Sequence, residues 1–157
     1  MSTFDSARSF LFVYESSLPK QDIDMIQEFA NEIKAEKKDV FFLVYHDFKK
    51  VPEGIFAKSF DIHICRKDFN LLKQPASSLV KRQYNIPYDY LFSFLGNRNN
   101  RVENFIRKSK AQIKVGRYDI PRKPLYRITF GSSDRENTME EYLKMAGNYL
   151  TKIRIEK

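Results

Sequence analysis

YDYLFSFLGNRNNRVENFIRKSKAQIKVG, residues 88–116, is the stretch that predicts the fold of the whole chain. Its first eight residues are mostly apolar and aromatic, which is typical of a buried strand. Residues 96–100 hold a glycine and three asparagines, which indicate a turn. In residues 101–108 the apolar side chains recur at helical spacing, and residues 111–116 predict a second strand. This β-turn-α-β unit predicts two parallel strands.

Further strands and helices flank this unit. The continuous apolar runs at 10–14 and 40–45 predict buried strands. The alternation Phe60-Asp61-Ile62-His63-Ile64-Cys65 predicts an edge strand with polar residues half exposed on one side. Helical spacing predicts helices between Pro19 and Lys38 and after Thr138.

These segments together predict a three-layer, Rossmann-like α/β sandwich with about six strands in the order 3-2-1-4-5-6. The sheet is expected to be mostly parallel. Residues 125–130 are expected to form an antiparallel edge strand, because the proline-broken connection 116–124 is too short for a crossover helix.

Length and composition predict one cytoplasmic domain. The chain has 157 residues, enough for a single core, which we place at 9–157 after a flexible N-terminus at 1–8. One cysteine excludes an internal disulfide, and the N-terminus lacks a signal-peptide pattern. No apolar run approaches the about 20 residues that a membrane helix needs, so no membrane partner is expected.

The charge is concentrated in one window. Between Arg98 and Arg127 the chain has ten lysines and arginines but two acids, so this window accounts for the whole net charge of +8. We therefore expect a binding or adaptor domain that engages an anionic small molecule or an acidic protein through a basic surface at residues 96–127. Arg117, Arg122 and Lys123 lie among tyrosines there, but no nucleic-acid recognition motif accompanies them, so nucleic acid is a less favoured partner.

Within this window, the loop after the strand 88–95 is the candidate anion site. In an open parallel sheet, ligands bind outside the carboxyl ends of the strands and at helix N-termini. The residues there are Gly96, Asn97, Arg98, Asn99 and Arg101. The loop has neither a dinucleotide nor a P-loop glycine pattern, so a plain turn and helix N-cap is the alternative.

An enzyme is the rival hypothesis. A transferase or hydrolase would use Asp68 or Asp89 as a base and the loop arginines as an anion clamp. It requires Asp68, Asn70 and Arg98 to line one deep pocket.

No metal or cofactor is expected. Asp61, His63 and Cys65 share one strand face and His46 ends a neighbouring strand, but the spacing is unusual for zinc. Cys65 beside a histidine is open as a nucleophile pair, although chance explains these residues equally well.

The last helix is the basis of a third hypothesis. Met139, Tyr142, Met145 and Tyr149 follow its apolar stripe and are expected to pack in the core. Exposure of the last three would instead favour a structural homodimer without a ligand.

Three segments resemble an uncharacterised family of small bacterial proteins. They are Lys67-Asp68-Phe69-Asn70 followed by Pro75, then Tyr88-Asp89-Tyr90-Leu91, then residues 109–116. The family is usually aromatic where this chain has Leu71, and the resemblance implies no function. The chain is more weakly similar to the N-terminal half of heptosyltransferase-type glycosyltransferases, which supports the fold but not the activity, since the nucleotide sugar binds mainly on their second domain.

Overall fold

The structure, a computed structural model, describes residues 4–50, 61–96, 98–117, 125–131 and 138–155. The strands are β1 Ser9–Glu15, β2 Asp39–His46, β3 Ile62–Cys65, β4 Tyr90–Ser93, β5 Ile113–Arg117 and β6 Ile128–Phe130. The helices are α1 Lys20–Lys34, α2 Ser78–Asn85, α3 Asn100–Lys108 and α4 Met139–Ile155, with one short 3-10 turn at Arg66–Asp68. Phe60, the first residue of the predicted strand 60–65, lies outside the described residues.

The six strands form one sheet in the order β3-β2-β1-β4-β5-β6. This result confirms the α/β class and the strand order that the sequence suggested. β1 is central, and Phe12 pairs in register with Phe42 of β2 on one side and Phe92 of β4 on the other. The continuous apolar runs of these strands suit this position, because both of their faces are covered.

The predicted antiparallel edge strand is wrong. β6 pairs with β5 in parallel, with Val115 opposite Ile128 and Arg117 opposite Phe130. The prediction assumed that a parallel return needs a crossover helix. β6 has only three residues, so the chain must return over about 10 Å, and the ten residues between the strands can extend to about 33 Å.

Helices cover both faces of the sheet and produce two cores. α1 and α4 pack on the face that holds Phe10, Phe12 and Phe92. α2 and α3 pack on the opposite face, against Leu11 and Leu91. Neighbouring residues of one strand therefore belong to different cores, as the pleat requires.

Aromatic side chains fill the α1/α4 core. The rings of Phe10 and Tyr90 stack with centroids 5.2 Å apart, and Phe12 meets Phe94 edge-on at 5.0 Å. Such offset and edge-to-face contacts stabilise by about 0.5–1.5 kcal/mol beyond burial. The high aromatic content seen in the sequence is therefore used mainly for packing.

Part of the segment 1–8, which was predicted to be flexible, packs on the fold, and residues 1–3 lie outside the described part. Phe4 and Ala7 are buried in the α1/α4 core. Lys38 Nζ donates hydrogen bonds to the carbonyl oxygens of Asp5 and Ala7, which holds the segment against the end of α1. In the part of the chain that the structure covers, no helix has the length and apolar character needed to cross a membrane.

Candidate functional site

The N-terminus of α3 is closed by its own side chains. Asn99 Oδ1 accepts a hydrogen bond from the backbone N–H of Val102 at 3.1 Å, and Glu103 Oε2 accepts one from that of Asn99 at 2.9 Å. These acceptors take amides that an anion would need, and buried Glu103 already places a negative charge at the positive end of the helix. The N-cap alternative therefore fits this helix better than the anion site.

A second carboxylate lies beside the N-terminus of α3. Asn99 Nδ2 donates a short hydrogen bond to Glu15 Oε1 at the end of β1. β1 and β4 are the strands between which the order reverses, which is where open sheets bind ligands. Glu15 and Glu103 both disfavour an anion there. Of the other predicted residues, Arg98 is exposed, Gly96 is half-buried, and Asn97 lies outside the described residues.

The side chain of Arg101 reaches Tyr45 on β2. Burial, followed by a 3.0 Å hydrogen bond to Asp47, raises the pKa of Tyr45 to about 12, and the positive charge of Arg101 acts in the opposite direction. The hydrogen bond from Arg66 Nε, also 3.0 Å long, is the main reason that the pKa of Asp47 is lowered. Arg101 thus belongs to a structural network with Tyr45, Asp47 and Arg66.

Arg117 also lies inside the protein. It ends β5, its side chain is buried, and its Nη1 is 3.5 Å from the position that a Cβ on Gly96 would take. Burial raises the pKa of Tyr142 on α4 well above its ordinary value, and the positive charge of Arg117 acts in the opposite direction. Arg117 is therefore placed within the fold and not on the predicted basic surface. Arg122 and Lys123 lie outside the described residues.

Asp68 and Asn70 organise a loop. Asp68 Oδ2 accepts a 2.8 Å hydrogen bond from the backbone N–H of Cys65 and caps the 3-10 turn. Asn70 Oδ1 accepts from the backbone N–H groups of Leu72 and Gln74, at 2.9 and 3.0 Å. Both side chains hold local backbone, as turn-forming Asp and Asn usually do.

Asp89 lies at the other end of the sheet. Its Oδ2 accepts hydrogen bonds from the backbone N–H groups of Arg8 and Ser9, at 2.7 and 3.1 Å, before β1 and β4 begin. Asp68 follows β3, which is three strand positions from β4, about 14 Å. Among the described residues, the two candidate bases Asp68 and Asp89 therefore lie at opposite ends of the sheet.

His46 and His63 form a buried pair between β2 and β3. His46 Nε2 and His63 Nδ1 are 2.9 Å apart, so one ring donates and the other accepts. Burial lowers the pKa of both imidazoles, and the charge of His63 lowers that of His46 further. β3 is at the sheet edge as predicted. The expectation of half-exposed polar residues holds for Asp61, but it is wrong for His63 and Cys65, which are buried.

The Cys65 thiol is hydrogen-bonded to the backbone. The thiol lies 3.4 Å from the carbonyl oxygen of Lys49 and donates to it. A nucleophile pair would need the thiol directed at an imidazole nitrogen. Among the residues that the structure describes, no group of three or more His, Cys, Asp and Glu side chains is placed to hold a metal ion.

The apolar stripe of α4 faces the core. Met139 and Tyr142 are buried, and Tyr149 packs on Phe130 with ring centroids 5.5 Å apart. Met145 is 36% exposed. Core packing is thus confirmed for Met139 and Tyr142, and the exposed trio that would favour a homodimer is not found.

Exposed cations gather on the layer formed by α2 and α3. Residues 66–114 contain eleven lysines and arginines but only three acids, Asp68, Asp89 and Glu103. All three carboxylates accept hydrogen bonds from backbone amides, as described above. We define the basic face as Lys73, Lys81, Arg82, Arg107, Lys108, Lys110 and Lys114.

Contacts connect the members of this face. Lys114 Nζ donates to the carbonyl oxygen of Arg107 at 3.3 Å, and Lys108 Nζ lies 6.0 Å above the ring of Tyr84 on α2. The backbone N–H of Lys110 donates to the carbonyl oxygen of Tyr84 at 2.8 Å. Burial and then the charge of Arg107 lower the pKa of Lys114. Arg107 and Lys114 are therefore close enough to repel one another.

The layer formed by α1 and α4, on the other face of the sheet, has an acidic groove. A groove of about 470 Å³ between α1 and α4 is lined by Glu28, Glu32 and Glu140, with Lys144 as its lining cation. The protein thus has one basic helix layer, and an acid-lined groove on the other side of the sheet.

Sequence reasoning placed only part of the basic face. The window 98–127 includes Arg107, Lys108, Lys110 and Lys114 but excludes Lys73, Lys81 and Arg82. Summing charge over each predicted helix would have found the missing ones, because α2 carries two cations and no acid. It would also have separated α1, which carries four acids and two lysines.

Comparison with known proteins gives a family and no function. No curated protein and no solved structure matches the chain. The weaker likeness to heptosyltransferase-type enzymes therefore stays a prediction. A family model matches residues 2–153, nearly the whole chain. The chain belongs to the family of unknown function DUF6913.

Proposed function

We propose that this chain is a cytoplasmic binding or adaptor domain that engages an anionic ligand or an acidic partner through its basic surface. The surface predicted at residues 96–127 is extended by Lys73, Lys81 and Arg82. Its main contact lies on the outer side of α3 and not at the start of that helix.

The hydrogen bonding of the three acids carries this proposal. Asp68, Asp89 and Glu103 bind backbone amides, and the cations of the same segment remain at the surface. Lys73, Lys81, Arg82 and Lys108 are exposed and form no ion pair with any residue in the described ranges. A face with many cations and few solvated acids attracts anions over a range set by the ionic strength.

The state of Lys114 adds support. Its ammonium is half-buried and lies beside Arg107, so the free protein holds two like charges together. A bound anion would relieve this repulsion, which favours binding at this position over binding at α3's capped N-terminus.

The enzyme hypothesis has weaker support. Asp68 and Asp89, its candidate bases, both serve as backbone caps at opposite ends of the sheet. A homodimer without a ligand also has weaker support, because Tyr142 is buried.

Titration calorimetry with heparin as the polyanion probe tests the proposal. We expect saturable binding that weakens as salt is added. Replacing Arg107 and Lys108 by Gln removes two charges, each worth about 1 kcal/mol at an anionic surface, so affinity should fall about thirty-fold. The paired variant Lys20→Gln plus Lys144→Gln removes two cations from the α1/α4 layer and should change little.

Substitution of the loop arginines distinguishes the loop site from the α3 site. If Arg98→Ala plus Arg101→Ala abolishes heparin binding and the α3 variant does not, the loop at residues 96–101 is the site after all. If the wild-type protein binds neither heparin, nucleotides nor inorganic phosphate at low salt, the proposed function is refuted.

A further inference from the structure

Two adjacent leucines project from the protein. Leu71 is 101% exposed and Leu72 is 80% exposed. The other large hydrophobic residues that are exposed in the described ranges, Phe41, Phe48 and Met145, range from 36% to 56%. Isolated exposed leucines are ordinary, but two neighbours that contact almost nothing in their own protein indicate a contact with something else.

The loop that carries them is preorganised. Asn70 Oδ1 binds the backbone N–H groups of Leu72 and Gln74, and the Lys73 N–H donates to the Asn70 carbonyl oxygen at 2.9 Å. Lys73 has a φ of 60°, a left-handed conformation that lysine rarely adopts. The backbone therefore holds the leucines outward in a defined conformation, which reduces the entropy lost on binding.

The loop is attached to the basic face. Asn104 Nδ2 donates a 2.9 Å hydrogen bond to the carbonyl oxygen of Lys73, and Arg107 Nη1 donates one of the same length to Asn104 Oδ1. Asn104 thus connects the leucine tip to the cations of α3. Apolar and cationic groups lie side by side on one layer of the protein.

We propose that the Leu71–Leu72 tip inserts into an anionic lipid surface while the basic face lies on the lipid headgroups. This inference rests on the proposed function and names the partner of that same surface. Weak apolar insertion and a polybasic patch are the two signals that together give stable membrane attachment.

A lipid surface fits these observations better than an acidic protein. The leucines form a protruding tip, which enters a deformable bilayer without a matching pocket. The cations around them are not interleaved with solvated acids, which suits the uniformly negative surface of an anionic bilayer. The sequence predicted no membrane partner, because the exposure of Leu71 and Leu72 cannot be read from it.

The lack of tryptophan makes insertion directly measurable. The chain contains no Trp, so Leu72→Trp introduces a single reporter at the tip. With phosphatidylcholine vesicles that contain phosphatidylserine, its emission should shift to the blue and be quenched by brominated lipid chains. Met145→Trp, on the α1/α4 layer, is the matched reporter and should show neither change.

Vesicle sedimentation separates insertion from electrostatic attraction. Leu71→Ser plus Leu72→Ser should weaken binding to the anionic vesicles at least about ten-fold and leave heparin binding unchanged. Arg107→Gln plus Lys108→Gln should weaken both. Since both leucines are exposed, the serine variant keeps its fold.

Three other results would contradict the proposed lipid contact. Heparin binding without vesicle binding would overturn the lipid surface, leave the proposed function intact and point to an acidic protein or a soluble polyanion. Vesicle binding that the serine variant retains in full would overturn insertion. Loss of neither interaction in the α3 variant would show that the basic face is not the contact, which overturns the inference.

Discussion

The ring of Tyr126 lies against the backbone of Gly116. A Cβ built on Gly116 would be 2.3 Å from Tyr126 Cδ2, far closer than two carbon atoms approach in proteins. The ring is held there by a 2.9 Å hydrogen bond from the Tyr126 hydroxyl to Ser93 Oγ. Gly116 therefore allows the segment before β6 to cover β5 and β4.

Gly116→Ala should destabilise the protein. The added methyl group displaces the Tyr126 ring and strains its hydrogen bond to Ser93, so we expect a loss of about 1–3 kcal/mol in the free energy of unfolding. Urea denaturation measures this value. An unchanged midpoint would show that the ring moves without cost.

Gly147→Ala is the control for this substitution. Gly147 lies inside α4, and a Cβ there meets nothing within 4 Å. Alanine should therefore stabilise the helix by about 0.5–1 kcal/mol. Opposite signs for the two substitutions would establish that the effect at Gly116 is steric.

The core strands could be predicted from the sequence, and the direction of β6 could not. β1 and β2 carry continuous apolar runs, which only buried parallel strands need. The direction of β6 depends on the length of its return path. That length is set by a strand of three residues, which no periodicity reveals.

Because His46 and His63 are buried, we expect the protein to lose stability in mild acid. Burial lowers the pKa of His46 and His63 below the ordinary 6.5. A lowered pKa in the folded state means that the unfolded chain binds protons first as the pH falls. The stabilising contribution is therefore complete above about pH 6.5 and is lost as the pH falls from there through the folded-state pKa values.

Urea denaturation between about pH 7.5 and pH 5 measures this loss. These are the only two histidines of the chain, so His46→Gln leaves a single imidazole and should reduce the loss. The lowered pKa of Asp47 keeps the titration of that carboxylate at more acidic pH. Equal stability of the wild-type protein at both ends of this range would contradict the prediction.

Removing the cap of α3 should destabilise the protein and leave anion binding in place. Asn99→Ala deletes the acceptor for the Val102 N–H and the donor to Glu15, which we expect to cost about 1 kcal/mol. Asn100→Ala, at the exposed next position, is the control. Reduced heparin affinity in Asn99→Ala, measured where the variant is folded, would return the site to the loop.

Backbone hydrogen bonds explain why the candidate site was only partly predicted. Asp and Asn side chains often take part in catalysis and ligand binding, so the sequence alone marks Asp68 and Asn70 as candidates. Only the structure reveals that both side chains already accept hydrogen bonds from backbone amides. Charge was easier to predict, because a sum over residues needs no geometry. The joining of Lys73 to Arg107 through Asn104 required the tertiary fold.

The ammonium of Lys114 should report directly on anion binding. Burial, followed by the charge of Arg107, lowers its pKa from 10.5. A bound polyanion adds negative charge nearby and favours the protonated form, so heparin should raise this pKa. An NMR titration of the lysine side-chain carbons measures the change.

Two variants separate the causes of this shift. Arg107→Gln removes a neighbouring positive charge and should raise the pKa of Lys114 in the free protein, although burial keeps it below the ordinary value. Arg82→Gln removes a cation from α2 on the same face and should leave it unchanged. If heparin binds and the pKa of Lys114 does not move, the polyanion contacts the protein away from the α3 cluster.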